Sequence, residues 1–491
     1  MRTRFAPSPT GHLHVGGLRT ALYAYLLAKQ NKGKFLLRIE DTDREREVAG
    51  AVEQILHSLA WAGISPDEGV ALRDGLASQV GDKGPYVQSE RLDMYKQYAT
   101  QLLEQGHAYH CFCTPERLDE MRKKQQERKQ APMYDRQCLS LGKEEIATRL
   151  EAGERHVLRM KIPHDRTIAF NDEVRGEVSF KGHTIDDQVL MKGDGFPTYH
   201  LAHVVDDKLM EIDAVIRGEE WLSSLPKHLL LWEWFGWEPP KYAHLPLLLN
   251  ADRTKLSKRQ GDVSVSEYSG KGYLPEAMLN FIALLGWNPG TTQDIFSLQE
   301  LIEQFSLERV QKAGAVFDPA KLEWLQGQWM RKIPAAEFAE RIKPLVAGKY
   351  PAAAKDTDFA QRAALIQERI TFFLEAPEML SYYYEEPRPT VELMANPKQK
   401  VTPEMLPEIL DALETAIDAI AEQDWNDKKL EEVLRALTTE KGWKLGQTLW
   451  PLRAALTGRE FSPGAFEVAA ALGKEETIKR LKIARQLATD A

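Results

Sequence analysis

Cysteine is almost missing from this 491-residue chain, which has three. So few thiols build no disulfide framework, and that points to a reducing compartment, the cytoplasm. No apolar run approaches the length of a membrane-spanning helix, so no membrane partner is expected. The start, Met1-Arg2-Thr3-Arg4, runs directly into a folding pattern without signal-peptide character. An excess of positive charge is missing as well: the formal net charge is −9. Phosphate neutralisation asks the opposite of a nucleic-acid binder, so any such contact must come from a local basic face. Core material is plentiful, because 43% hydrophobic residues at this length are enough for several domains of a large enzyme.

The stretch Arg4-Phe5-Ala6-Pro7-Ser8-Pro9-Thr10-Gly11-His12-Leu13-His14-Val15-Gly16-Gly17 organises the chain. Thr3 to Ala6 is a short β-type run that Pro7 and Pro9 stop, and the glycines permit tight turns before a helix predicted over Leu18 to Gln30. Leu18, Leu22, Tyr25 and Leu26 recur at helical spacing, so one face packs on a core while the amide-rich first turn points at the strand end, a place that attracts phosphate. His12 and His14 flank that turn, with Gly16 and Gly17 giving close access. Their rings suit donation to a nucleotide phosphate, and taken alone they also read as ordinary loop histidines. Far downstream, Lys255-Leu256-Ser257-Lys258-Arg259 follows the apolar run Leu245 to Leu249. Two lysines three apart around a small hydroxyl suit a triphosphate, and alone the cluster is a solvated charge run.

Phe35 to Ile39 reads as a buried strand, with Asp43 as N-cap of a helix whose Val48, Val52, Ile55, Leu56 and Leu59 share a face. Strand and helix alternate as in a parallel, doubly wound, Rossmann-like α/β sheet with its ligand site along the carboxyl edge, where Arg4 and Glu40 both fall. An arginine fork meets a carboxylate with two parallel hydrogen bonds, so the two also read as a structural ion pair. A helix carrying Leu92, Tyr95, Ala99, Leu102 and Leu103 stops at Gly106, and an α+β insertion follows. His110-Cys111-Phe112-Cys113 opens it, a charged helix starts at Thr114-Pro115, and Tyr134-Asp135-Arg136-Gln137-Cys138 closes that part. Clustered thiols in a reducing compartment suggest zinc, with Cys111, Cys113 and Cys138 supplying three of four ligands; the alternative is three inert thiols. Val157 to Ile162 and Glu177 to Phe180 are strand-like, and Val189 to His200 is read as the return to the main sheet. From about residue 325 the pattern is helical, with Leu413, Ala416, Ile417 and Ile420 on one face, a further amphipathic run at Leu445 to Leu456, and no β-barrel signal.

The Pro-Ser-Pro-Thr-Gly…His-Val-Gly-Gly and Lys-Leu-Ser-Lys-Arg segments together resemble the two signature motifs of class I aminoacyl-tRNA synthetases. Their wording resembles the bacterial and organellar glutamyl-tRNA synthetases. The resemblance covers nearly the whole chain and thins most between Arg331 and Asp424. It implies ATP- and Mg²⁺-dependent joining of L-glutamate to tRNA(Glu) through glutamyl-adenylate, by a monomer. A non-discriminating enzyme that also charges tRNA(Gln), and a catalytically silent tRNA-binding relative, are the alternatives. The same resemblance places His12, His14, Lys255 and Lys258 at the reacting phosphates, and Gly16, Gly17, Glu220, Trp221, Leu248 and Ser257 with the two lysines on ATP. It places Arg4, Ala6, Ser8, Glu40, Tyr199, His203 and Arg217 on glutamate. Arg217 then faces the side-chain carboxylate and rejects glutamine, the alternative being a structural arginine held by Glu219 or Glu220. His203 stands where many relatives have Asn, and its charge could change near neutral pH. The family's zinc sites imply Tyr134 as the fourth ligand, and the basic run Arg117, Arg122, Lys123, Lys124, Arg128 and Lys129 contacts the tRNA acceptor end. Residues 1–106 and 186–250 then form the catalytic domain around an acceptor-stem-binding insertion at 107–185, with a connecting region at 251–325 and a helical anticodon-binding domain at 326–491.

Overall fold

The plan is laid down by the first strand and helix. The computed structural model describes residues 1–256 and 264–490. In it β1 (Arg2–Phe5), α1 (Val15–Gln30), β2 (Lys34–Leu37), α2 (Ala51–Trp61), β3 (Glu68–Arg73) and β4 (Leu76–Val80) succeed one another. α3 (Leu92–Glu104) leads into β5 (Ala108–Cys111), α4 (Pro115–Glu127), α5 (Lys143–Glu151), β6 (Val157–Met160), β7 (Thr167–Asp172), β8 (Gly176–Lys181) and β9 (Val189–Met191). Then come α6 (Tyr199–Leu209), β10 (Ala214–Gly218), α7 (Leu225–Trp234), β11 (Lys241–Leu245), β12 (Leu248–Leu249) and β13 (Ala315–Val316).

The main sheet has the order β11-β10-β1-β2-β3-β4, parallel throughout except for β4. The chain leaves β1 toward β2 on one side and returns to β10 on the other, so the order reverses between β1 and β10, where such sheets open a crevice at the strands' carboxyl ends. Register does the rest: Arg217 on β10 lies directly opposite His244 on β11, and Arg4 lies on the adjacent β1. α1 buries Leu18, Leu22 and Leu26 and so holds its first turn over that edge.

Several local readings are corrected. α1 begins three residues before Leu18, because the His14 side chain caps it. β2 ends at Leu37, and Ile39 instead bridges Val87. Asp43 precedes a short 3₁₀ turn, and α2 starts only at Ala51 behind Gly50, whose left-handed φ of 77° breaks the pattern and leaves Val48 exposed. β9 pairs with β6 in a separate β5-β6-β9 sheet, so the return to the main sheet comes at β10. β7 and α5 have no counterpart in the sequence reading. In α5 an apolar face is nearly absent: none of its residues is buried.

The chain forms two compact units, Met1–Leu322 and Glu323–Ala491. Among the described residues the second has helices and no strand, and Leu410, Leu413, Ile417, Leu434, Leu452 and Leu481 form part of its core. No helix among the described residues is long and apolar enough to cross a membrane.

Candidate active site

A cavity of about 770 Å³ opens at the carboxyl edge of the sheet, where β1 and β10 diverge. Arg4, Ala6 and Ser8 enter it from the end of β1, Glu40 from beyond β2, Tyr199 from the start of α6, and Arg217, Glu220 and Trp221 from the end of β10. Pro7 and Pro9 keep the chain out of the sheet while their carbonyls accept from Glu40 and Val48 amides at 3.0 and 2.9 Å, which joins the two strand exits into one wall. Gly218 has no room for a side chain, since a Cβ there would lie 2.1 Å from a Glu220 carboxylate oxygen.

Arg217 is 5% exposed, yet touches no carboxylate among the described residues. Its Nη1 donates to Tyr199 Oη at 2.9 Å, its Nε to His244 Nε2 at 3.0 Å, and its Nη2 lies 3.3 Å from His228 Nδ1 and 3.5 Å from the Trp221 carbonyl. Glu219 is engaged elsewhere, with Arg175 and the Leu247 amide. Burial holds His228 and His244 below the ordinary imidazole range, so both are neutral acceptors here. The arginine is therefore a buried cation whose contacts are all uncharged, in the wall of a cavity.

On the facing side Arg4 and Glu40 do not pair with each other. Arg4 Nε donates to Asp207 Oδ1 at 3.1 Å, and Glu40 accepts from Arg38 at 2.9 Å, while Arg38 also holds Asp207 at 2.8 Å. Burial pushes the Glu40 carboxyl up against the pull of Arg38 and Arg4. Burial opposes ionisation of Asp207, but the two guanidiniums outweigh it and hold that carboxyl far below its usual range. His203 does not line the cavity. It is fully buried behind Tyr199, stacked on that ring at 4.7 Å, and its Nδ1 meets Asp207 at 3.0 Å. Burial brings its pKa down to about 3, which rules out a change of charge near neutral pH.

At the start of α1, His14 is the N-cap, and its Nδ1 accepts from the Gly16 amide at 3.0 Å. One amide of the first turn is thus already occupied. A ring that accepts at Nδ1 carries its proton at Nε2, which makes it a donor there when neutral. His12 is exposed on the preceding turn. Leu248 lies beside Gly16, near enough that a Cβ there would meet it at 3.8 Å, and exposed Lys255 bridges Leu249 next to it. Leu256 donates its amide to the Leu248 carbonyl, and Ser264 bridges His14. Ser257 and Lys258 lie outside the described residues. The sequence reading missed Arg44, Arg46, Arg155 and Lys192, cations that also line the cavity. The charged run after Glu40 was the available signal for the first two.

In the insertion, Cys111 at the end of β5, Cys113 and Cys138 bring their sulfurs within 4.8 Å of one another. The Tyr134 oxygen lies 3.4 Å from Cys111 Sγ and 3.2 Å from Cys113 Sγ, and it accepts from the Cys138 amide at 3.0 Å. Ligands about 2.3 Å from a tetrahedral zinc stand a little under 4 Å apart, which this set approaches. Arg117 Nη1 lies 3.3 Å from Cys113 Sγ, and the Arg159 guanidinium sits 4.1 Å over the Tyr134 ring, so cations surround the donor set.

A family model described as tRNA synthetases class I (E and Q), catalytic domain, matches residues 1–324, and one described as anticodon binding domain matches residues 337–485. The parallel sheet with its crevice at the reversal of strand order falls within the matched catalytic domain, and the chain is a class I tRNA synthetase. The chain is 48% identical to the glutamate–tRNA ligase of Chlorobium phaeovibrioides, over 98% of this chain and 94% of that one. It is 46% identical to that of Alkaliphilus metalliredigens, over 99% of each. The crystal structure of a glutamate tRNA ligase from Elizabethkingia meningosepticum in complex with its amino acid matches with a TM-score of 0.85 at 38% identity, covering 99% of both chains. The chain belongs to the glutamate–tRNA ligase family.

Proposed function

We propose that this chain joins L-glutamate to the 3′ end of tRNA(Glu) at the expense of ATP, and that Arg217 recognises the side-chain carboxylate. The observation that carries this reading is the buried guanidinium with neutral contacts in the cavity wall. A substrate carboxylate gives it the direct ionic contact that its neighbours do not, and a carboxamide does not. Glu40, in the same cavity, suits the ammonium group, and Arg4, Ala6, Ser8 and Tyr199 shape the space between.

The α-carboxylate of glutamate attacks the α-phosphate of ATP and pyrophosphate leaves; the terminal 2′-hydroxyl of tRNA then takes the glutamyl group and AMP leaves. Neither step needs a protein nucleophile. The chain's work is to align the reactants and to offset charge gathering on the phosphates. His12, His14, Lys255 and Lys258 serve the second purpose, with Mg²⁺ arriving on ATP. Gly16, Gly17 and Leu248 border the nucleotide, as do Glu220, Trp221 and Ser257. Exposed basic residues of α4 touch the acceptor end, and the helical region beyond residue 326 reads the anticodon arm. We further propose that Cys111, Cys113, Tyr134 and Cys138 hold one structural zinc. A monomer in the cytoplasm completes the reading.

The test is Arg217→Gln. Truncating one member of a buried charge pair typically costs about 3–5 kcal/mol, so the KM for glutamate rises steeply while those for ATP and tRNA change little. Equal damage to all three substrates, together with a lowered melting temperature, would make Arg217 structural. Charging assays on purified tRNA(Glu) and tRNA(Gln) decide how many tRNAs are accepted.

A further inference from the structure

Arg217 has a counter-charge after all, one imidazole away. His244 Nε2 accepts from Arg217 Nε, and a ring accepting there carries its proton on Nδ1, which meets Asp172 Oδ2 at 2.6 Å. Asp172 and His244 are 1% and 0% exposed. The parallel register of β10 and β11 sets His244 directly opposite Arg217.

Asp172 does not come from the sheet. It ends β7, and the turn it opens grips β11 along the backbone as well as at the ring. Its Oδ1 accepts from the His244 amide at 3.2 Å and from the Val174 and Arg175 amides at 3.0 and 2.9 Å. The Glu173 amide donates to the Tyr242 carbonyl at 2.9 Å, and Arg175 Nε donates to the His244 carbonyl at 3.3 Å. Arg175 also carries the ion pair with Glu219 that removes the nearest carboxylate in sequence from Arg217.

We propose that Asp172 and His244 are positioning residues for Arg217, supplying its counter-charge through an imidazole so that the guanidinium stays buried, oriented and open to a substrate carboxylate. This deepens the reading of Arg217 as the glutamate-recognising group and rests on it. A carboxylate placed directly on Arg217 would occupy the fork that the substrate needs. With none at all, the buried cation would have no opposing charge. Asp172 behind the ring meets both requirements: it aims one N–H of the guanidinium, while Nη1 gives one of its two N–H groups to Tyr199 and keeps the other. The logic is that of carboxylate–histidine pairs behind a metal ion, with a guanidinium in the metal's place. Specificity for the side-chain carboxylate then depends on a residue delivered by the inserted segment.

Asp172→Asn removes the charge and leaves one oxygen, which the three backbone amides on Oδ1 hold; the new NH2 then faces His244 Nδ1, turns that nitrogen into an acceptor and moves the ring proton to Nε2, so Arg217 Nε loses its acceptor as well as its counter-charge. The expected result is a rise of about tenfold in the KM for glutamate and a narrowed preference for glutamate over glutamine, since loss of such supporting contacts weakens binding by about 10–100-fold. The melting temperature, the KM values for ATP and tRNA, and kcat at saturating glutamate stay near wild type. His244→Gln, whose amide oxygen can accept from Arg217 Nε, retains more glutamate affinity than His244→Leu. Arg217→Gln run alongside separates the two failures. If it loses glutamate selectively while Asp172→Asn matches wild type, the positioning role falls and the role of Arg217 stands. If it shows no selective loss, both fall. A Asp172→Asn protein that melts early and handles all three substrates equally badly, or equal behaviour of the Gln and Leu variants at His244, also overturns the proposal.

Discussion

His14 does two jobs with one ring. Nδ1 accepts from the Gly16 amide and so starts α1 at Val15, and the same bond leaves the proton of the neutral ring on Nε2. Two substitutions separate the jobs. His14→Ala removes the cap and should lower stability by about 1 kcal/mol, whereas Asn is among the best N-caps and should restore it. Neither replaces the imidazole donor, so both variants are expected to lose on the order of a hundredfold in turnover. Thermal melting alongside single-turnover kinetics checks this, and an Asn variant with normal turnover would reduce His14 to a cap. Such a double role is half legible in sequence. The sequence placed His14 beside the turn with its ring toward a phosphate and started the helix at Leu18, while the cap and the occupied nitrogen follow only from the backbone geometry.

Among the elements, the segment between α3 and α6 was the least legible. Its strands are short, β6 and β9 pair across a register shift, and α5 has no buried face, so periodicity carries little information there. The three cysteines marked the place and the family resemblance named Tyr134, whose oxygen the fold brings among their sulfurs. One zinc per chain is expected by elemental analysis of protein purified without chelator. Cys138→Ser should lose the metal and loosen the segment around α4, seen as faster hydrogen exchange there, while the main sheet keeps its protection. Full occupancy of zinc in that variant, or none in the wild type, would dispose of the site.

Taken whole, the first unit buries His200, His203, His228 and His244 in neutral form, burial lowering each. The same rings in the unfolded chain take up protons below about pH 6.5. The unfolded state therefore binds more protons as pH falls through that value, so stability is full above it and declines below it. Each ring contributes up to about 1.4 kcal/mol per pH unit until its folded form also protonates, near 3 for His203. Asp207, whose folded pKa is depressed, adds its loss only as pH drops below about 4. Melting temperatures should accordingly fall between pH 7 and pH 5, before carboxylates titrate. A flat profile down to pH 5 would contradict the neutral burial of these rings.

What the amino-acid order determined by itself was whatever is written in contiguous residues or in a repeat: the strand–turn–helix at the start, the alternation that makes a parallel sheet, the helical second unit, and the wording of the two signature motifs. Their physics is local, since proline stops a strand, glycine permits the turn and apolar spacing picks the buried face. Only the tertiary structure decided who partners whom at the site. Sequence adjacency offered Glu219 and Glu220 to Arg217, and a shared place at the carboxyl edge of the sheet offered Glu40 to Arg4. Strand register gave Arg217 a neighbour on β11 and, behind it, an aspartate from the insertion, while Arg4 and Arg38 met on Asp207 of α6. His203 was placed on glutamate by its position in a motif, and helix packing turned it behind Tyr199. Charge pairing acts through space over a few ångströms, and residues that close in space here stand tens to hundreds of positions apart in the chain.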